Sequence, residues 1–361
     1  MGERTGSPVA TGPEQIFSDP REVARRVRDR LEELPESTAE PPGGHAPGER
    51  ASAERAADER AARQERDRVL LAGAAGLEKL AEGRGDEIGE DESFGMEAVV
   101  LLEGRPALLV ENQDFPPQEG DWAVLDGHRE AIRASIARVG RVVVSGHAGL
   151  DWLGTAFAVG PDVVMTNRHV AVEFARERDA GWIFRQGMGA GLNTAEKYDG
   201  PPPPGTAGAY EVTDILGIHP DADLALLRIA PAGSGEPTPT ALAVAADAPA
   251  DLPGRPVYCV GYPAYDGRRN EPAAMSRIFM DVYNVKRLQP GSATELVPER
   301  SVLTHDCSTL GGNSGSPVID LTDHRVLGLH FGGRYGVGNY AVPLWSMVDD
   351  PLLRRAEVNF V

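Results

Sequence analysis

The sequence predicts a mainly β protein behind a helical, partly unstructured N-terminal region. Three observations carry this. From Gly140 onward, short apolar runs recur between glycine and proline turns, the texture of a sandwich or barrel. Before that point, residues 21–34 and 51–82 have the spacing or composition of helices. Between those two stretches, residues 35–50 (PESTAEPPGGHAPGER) hold too few apolar side chains to order themselves.

In chain order, residues 1–19 read as a disordered lead-in. Val23, Val27 and Leu31 recur every fourth residue and so share one helix face, with Asp19 placed as N-cap and Pro20 in the first turn. Residues 51–82 mix Glu54, Arg55, Glu59, Arg60 and Arg63 on a solvated helix, and only the half from Val69 to Leu80 has apolar residues enough to dock. The apolar heptads do not persist, which argues against a coiled coil. A glycine-rich acidic loop (83–95) precedes Glu97–Leu102 and Pro106–Val110, read as a hairpin turning at Gly104. Arg129–Val139 is a helix with Ile132, Ile136 and Val139 on one side. The expected division is therefore 1–50 as lead-in, short helix and linker, 51–139 as charged helix plus small α/β module, and 140–361 as the β domain.

Within the β domain the predicted strands are Arg141–Ser145, Gly154–Val159, Val163–Thr166, Ile215–Ile218, Leu224–Ile229, Pro256–Val260, Val302–His305, Ser316–Ile319, Val326–His330 and Asn339–Val342. Residues 200–210 and 231–240 are loops by their proline content, and Leu344–Arg355 is a closing helix.

Charge and composition exclude several function classes. The net charge is −19 with no basic patch, so nucleic acid is not an expected partner. No apolar run approaches the ~20 residues a membrane helix needs. The N-terminus MGERTGSPVATGPEQ lacks a basic segment followed by an apolar one, and Cys259 and Cys307 are the only cysteines. Both facts point to a reducing, cytoplasmic setting with the two thiols unbridged. The histidines are scattered without paired His/Cys spacing, and there is no phosphate loop or dinucleotide fingerprint, so neither metal nor cofactor is expected.

Chemistry concentrates in Gly311-Gly312-Asn313-Ser314-Gly315-Ser316-Pro317. Glycines beside one serine allow a tight turn on which the amides of Gly312 and Ser314 converge, as an oxyanion hole requires. A serine hydroxyl needs a base, and the base an orienting carboxylate. His169 follows the strand Val163–Thr166, and Asp223 heads the strand Leu224–Ile229 with Asp221 as its competitor. Asp223 is preferred because it abuts the strand directly. Each alone has an ordinary structural reading: a Gly-Ser turn, a packed histidine, a turn-forming aspartate. Their combination is far more specific.

As a set, these motifs resemble the chymotrypsin-like (trypsin-fold) serine peptidases, and within them the bacterial branch of glutamyl endopeptidases. The matching stretches are Gly154-Thr155-Ala156-Phe157, Thr166-Asn167-Arg168-His169-Val170, Asp223-Leu224-Ala225-Leu226, Gly261-Tyr262-Pro263, Gly311–Pro317, Gly328–Gly333 and Ala341-Val342-Pro343. The likeness covers about residues 140–361. It implies two six-stranded antiparallel β-barrels with the site between them and no cofactor. It implies Ser314 as nucleophile, His169 as general base and then acid, Asp223 as orienting carboxylate, and Gly312 and Ser314 as oxyanion hole. Protein or peptide substrates follow, with the N-terminal region left for a protein partner.

For specificity, the resemblance puts Ser308 and Thr309 at the base of the primary pocket and His330, Phe331 and Gly332 in its wall. No aspartate stands where a trypsin-like pocket holds one, because Ser308 occupies that position. Thr309 with His330 resembles the carboxylate grip of glutamyl endopeptidases, which implies cleavage after acidic residues, against a small or apolar preference as the alternative. Those enzymes also use a processed N-terminal amine, whereas here 139 residues precede the domain. A catalytically silent trypsin-fold module is the rival reading, and a scaffold has no need of three polar residues in these contexts. An α/β-hydrolase esterase is excluded by the chain order and by Ser316 where that motif has glycine.

Overall fold

The computed structural model describes residues 19–33, 67–89, 91–92, 96, 104–179, 181–197, 208–232, 237–264, 279, 282–334 and 338–361. The expected lead-in, linker, first half of the charged helix, strand Glu97–Leu102 and most of the loop at 200–210 lie outside the described residues. Two compact units are present, one spanning Thr11–Gly104 and one containing Arg105–Val361.

In the smaller unit, the helix Pro20–Glu33 begins where expected. Asp19 Oδ1 accepts the N–H groups of Arg21 (3.0 Å) and Glu22 (3.2 Å), satisfying two orphan donors of the first turn. Val23, Ala24 and Val27 are buried with Val69, Leu70 and Leu77 of the helix over 67–81. Among the described residues no helix is long and apolar enough to cross a membrane.

The larger unit consists of two closed six-stranded antiparallel barrels. The first joins β2 (Val139–Ser145), β3 (Trp152–Gly160), β4 (Val163–Thr166), β9 (Ala225–Pro231), β8 (Ala209–Ile218) and β7 (Gly189–Asn193) in that spatial order. The second joins β11 (Arg287–Val297), β10 (Pro256–Gly261), β13 (Pro317–Asp320), β14 (Val326–Arg334), β15 (Gly338–Pro343) and β12 (Val302–His305), closed by pairing of β12 with β11. A short strand β1 (Leu108–Leu109) is added beside β11, and β5 (Ala175–Arg178) and β6 (Gly181–Phe184) form a separate ribbon.

Period-two alternation builds the two cores. Along β3, Ala156 and Ala158 fill the first barrel. Phe157 and Val159 point the other way, into a core shared with Tyr258, Val260, Ile319 and Leu329 of the second. The helix Arg129–Ile136 adds Ile132 and Ile136 to that shared core, as do Val110, Phe115, Trp122 and Leu125. Residues 105–139 thus pack with the barrels. The second barrel's interior holds Val257, Cys259, Leu303, Cys307, Val318 and Leu327.

Two barrel strands escape sequence patterning. β7 reads GAGLN, without a β-branched or aromatic residue, and β11 carries Pro290 and Gly291 at its middle. Pro290 is tolerated opposite Tyr258 of β10 even though proline is unfavourable inside a sheet. The expected closing helix is split into a turn at Leu344–Met347 and a helix at Pro351–Arg355. Pro351 lacks the N–H a continuous helix would use, and Asp350 caps the new start by accepting from Leu352 (2.8 Å) and Leu353 (3.1 Å).

Candidate active site

β4 ends at Thr166, and the chain turns through Asn167 into the helix Arg168–Phe174. His169 sits in the first turn of that helix, directly after a fully buried strand, so its direction is set by the barrel. Thr166 pairs with Ala225 of β9, which brings the residues ahead of β9 alongside. Asp223 is among them and takes hold of the histidine twice. Its Oδ1 accepts the backbone N–H of His169 at 2.9 Å, and its Oδ2 accepts Nδ1–H at 2.7 Å. Asn167 Nδ2 donates to the Asp223 carbonyl at 2.9 Å and pins the loop that carries Asp223. The other ring nitrogen, Nε2, has no hydrogen bond among the described residues, and the side chain is 49% exposed. The competing Asp221 is exposed, and its N–H, with that of Ala222, goes to His219 Nδ1. Asp223 is the carboxylate that reaches His169.

Ser314 lies in the loop that leads into β13. Gly312 and Gly315 adopt φ of +86° and +91° there, in the region that favours glycine. Side chains are also excluded by proximity: a Cβ on Gly312 would stand 2.4 Å from the Tyr262 carbonyl oxygen, and one on Gly315 would stand 1.9 Å from that of Thr155. The loop's carbonyls are held from outside. Ala264 N–H donates to Gly311 O (2.6 Å), Thr155 Oγ1 to Gly312 O (2.8 Å) and Thr155 N–H to Ser314 O (2.8 Å). Gly315 N–H donates to His330 O at 2.8 Å. The N–H groups of Gly312 and Ser314, by contrast, have no acceptor among the described residues, and neither does the half-exposed Ser314 hydroxyl. Preorganised, unpartnered amides beside a free hydroxyl are what an incoming carbonyl that becomes an anion requires.

The residues expected in the specificity pocket belong to the second barrel, on β14 and in the segment after β12. Ser308 is buried, with its hydroxyl donating to the Arg105 carbonyl at 2.6 Å. Thr309 Oγ1 donates to Asn339 Oδ1 at 2.7 Å. His330 lies on β14 and is 2% exposed. The register of β14 against β15 shifts between His330 and Gly332, so Phe331 is the extra residue of a bulge, and its ring stacks on Tyr340 with centroids 6.2 Å apart. No direct hydrogen bond joins Thr309 to His330 among the described residues.

A residue that sequence reasoning missed is His305. Its Nε2 lies 3.1 Å from His330 Nδ1, and both rings are buried. Burial pushes the His305 ring down to about 3. Burial, then the neighbouring His305 and His169, holds His330 well below the usual histidine range. Both rings are neutral near pH 7. The fold assembles a further group that sequence spacing concealed: Cys259, His305 and Cys307, all buried, have ligand atoms within 4.8 Å of one another. The only sequence signal was the His-x-Cys at 305–307, whose third member lies on a different strand.

Among solved structures, the active form of the Rv3671c protease from M. tuberculosis is similar at 20% identity and a TM-score of 0.43, covering 67% of this chain and 90% of that one. The serine endoprotease from Yersinia pestis is similar at 17% identity and a TM-score of 0.41, over 63% and 67% of the two chains. The model of the trypsin-like peptidase domain matches residues 154–329. A relative from Lysobacter enzymogenes, named as a probable serine protease, is 30% identical over 319 residues, which is 78% of this chain and 80% of that one. On this relationship, which spans most of both proteins, the chain belongs to the trypsin-like serine peptidases.

Proposed function

We propose that this peptidase is an endopeptidase acting through a Ser314–His169–Asp223 triad, with preference for an acidic residue on the acyl side of the cleaved bond. The observation that carries the reading is the double hold of Asp223 on His169, at the backbone N–H and at Nδ1. That hold fixes the tautomer in which Nε2 is the basic nitrogen. Ser314 Oγ attacks the substrate carbonyl carbon while its proton passes to His169 Nε2. The oxygen that becomes negative is received by the N–H groups of Gly312 and Ser314. The tetrahedral species collapses as Nε2–H protonates the departing amine, leaving an acyl-serine. Water then attacks with Nε2 again as base, and the acid and free Ser314 are released.

The acidic preference rests on His330. With Nδ1 of the neutral ring accepting from His305 Nε2–H, His330 carries its own proton on Nε2 and presents it to a carboxylate. Thr309 supplies a second donor by turning its hydroxyl from Asn339 to the substrate. Phe331 and Gly332 complete the wall, and Ser308 lends no charge to the base.

The test is Ser314→Ala in the full chain, read by fluorophosphonate labelling and by mass spectrometry of a proteome digest. The wild type is expected to be labelled and to cut after Glu or Asp, and the variant to do neither. Labelling that persists in Ser314→Ala overturns the nucleophile. An unlabelled, inactive wild type would instead make the fold a silent binding module.

A further inference from the structure

We propose that Cys259, Cys307 and His305 form a binding site for a soft, thiophilic d10 cation, Cu(I) or Zn(II), inside the second barrel. The inference stands apart from the peptidase chemistry.

The geometry is that of a preassembled set of donors. The two Sγ atoms and one ring nitrogen of His305 lie within 4.8 Å of one another. A zinc–sulfur bond is about 2.3 Å, which puts tetrahedral sulfur pairs about 3.7 Å apart, so closure requires movement of roughly an ångström at most. β10 and β12 flank β11, which places Cys259 on one side of that strand and His305 on the other. Gly291 of β11 sits against this group: a Cβ there would stand 2.7 Å from Asp306 Oδ1 and 2.8 Å from Cys307 Sγ. The absence of a side chain is what lets the thiol occupy that spot.

The surroundings suit a soft ion. Cys259, His305 and Cys307 are 0%, 0% and 1% exposed and packed among Val257, Leu303 and Val318. Water does not compete there, and thiolate with imidazole donors selects Cu(I) and Zn(II) over hard cations. Both cysteines are free thiols. Binding exchanges protons for metal: each thiol that becomes a ligand releases one proton, so Zn(II) with two thiolates leaves a neutral site.

The decisive observation is the His305 ring. Its Nε2 is hydrogen-bonded to His330 Nδ1, while Nδ1 is fully buried and has no hydrogen-bond partner among the described residues. A buried polar atom left without a partner calls for an explanation. A histidine that ligates a metal through one nitrogen and donates its other N–H to a neighbouring group shows this same division. Metal at Nδ1 would therefore hold the proton on Nε2 and aim it at His330.

The experiment uses the full reduced chain, stripped of metal and then offered Cu(I) or Zn(II) in competition with a chromophoric chelator. Native mass spectrometry is expected to find one ion per chain, with protons lost from the ligand thiols. X-ray absorption at the metal edge is expected to show two sulfur neighbours and one nitrogen. This readout needs no variant. Cys259→Ala should abolish retention, and His330→Leu, which takes away the acceptor at the far nitrogen, should weaken it by about 10–100-fold. No stoichiometric ion retained against the chelator, or a bound ion without sulfur neighbours, overturns the proposal. So does a reduced-and-handled chain two hydrogens lighter, which would mean that Cys259 and Cys307 have bonded to each other.

Discussion

Thr155 holds Ser314 from the opposite barrel: its backbone N–H donates to the Ser314 carbonyl at 2.8 Å, and its Oγ1 donates to the Gly312 carbonyl at the same distance. Thr166 Oγ1 in turn donates to the Thr155 carbonyl at 2.8 Å, so β4, β3 and the serine loop form one hydrogen-bonded unit. The strand that delivers His169 is thereby tied to the loop that carries Ser314. Thr155→Val keeps the shape and the backbone bond but leaves the Gly312 carbonyl without its donor. The expected result is a stability loss of about 1–3 kcal/mol, because the part-buried Gly312 carbonyl loses its donor and the buried Tyr262 N–H, 3.4 Å from Oγ1, its acceptor. A loop displaced by a fraction of an ångström also lowers kcat by about 10- to 100-fold. Urea denaturation and steady-state kinetics on one peptide check both, and unchanged kcat would show that the loop holds its geometry without this strut.

Asp223→Asn separates orientation from charge. One carboxylate oxygen serves the His169 backbone and the other serves Nδ1. An asparagine can satisfy one of these as acceptor, while its NH2 faces a donor at the other. To relieve that clash, the ring shifts its proton to Nε2 and ceases to be a base toward Ser314. Activity should fall by about 10⁴-fold with the fold intact. The measurement is kcat/KM together with circular dichroism; a loss of tenfold or less would remove Asp223 from the proposed triad.

What was legible in the sequence divides along physical lines. β4 and β12 coincide with their predicted limits because Val163–Thr166 and Val302–His305 are short apolar runs flanked by turn residues. Gly312 and Gly315 announced the serine loop because only glycine fits their positive φ and crowded neighbours. β7 and β11 were hidden, since their membership is decided by ladder partners and not by their own GAGLN and RLQPGSATELV patterns. The preference for Asp223 over Asp221 was legible because Asp223 abuts its strand directly, and Asp223 is the one that meets His169. His305 was hidden more deeply, because its partners His330 and Cys259 come from β14 and β10 and no local pattern encodes that meeting.

His330→Ala tests the pocket. The substitution removes the ring but keeps the two backbone bonds at this residue, Gly315 N–H to its carbonyl and its own N–H to Ser316 O. The serine loop should therefore keep its anchor while a substrate carboxylate loses its donor. A hydrogen bond to a charged group is worth about 1.5–3 kcal/mol, so kcat/KM for Glu relative to Ala at the cleavage position should fall by roughly 10–100-fold. A ratio that stays the same would remove His330 from recognition and favour a small or apolar preference.

Lys286 gives the fold a pH dependence whose sign is fixed by burial. The residue is fully buried; its Nζ donates to the Thr194 carbonyl at 2.7 Å and the Ile136 carbonyl at 3.1 Å, and lies 5.7 Å from the centre of the Tyr262 ring. Burial, with Arg141 nearby adding to it and Glu196 opposing, lowers its pKa from 10.5 to about 7. The neutral amine still has two hydrogens, so both carbonyls keep their donors when the charge is lost. Between about pH 7 and 10.5 the unfolded chain holds a proton that the folded one has released. Stability from this group therefore rises with pH across that window, by as much as about 1.4 kcal/mol per pH unit, and the penalty of the buried charge is fully present below it. Lys286→Met has no such proton. Urea unfolding of both proteins at about pH 7 and about pH 9.5 should show the wild type gaining on the variant at the higher pH, other titrating groups cancelling in the comparison. An equal difference at both values would show that burial leaves this amine with the same proton affinity folded and unfolded.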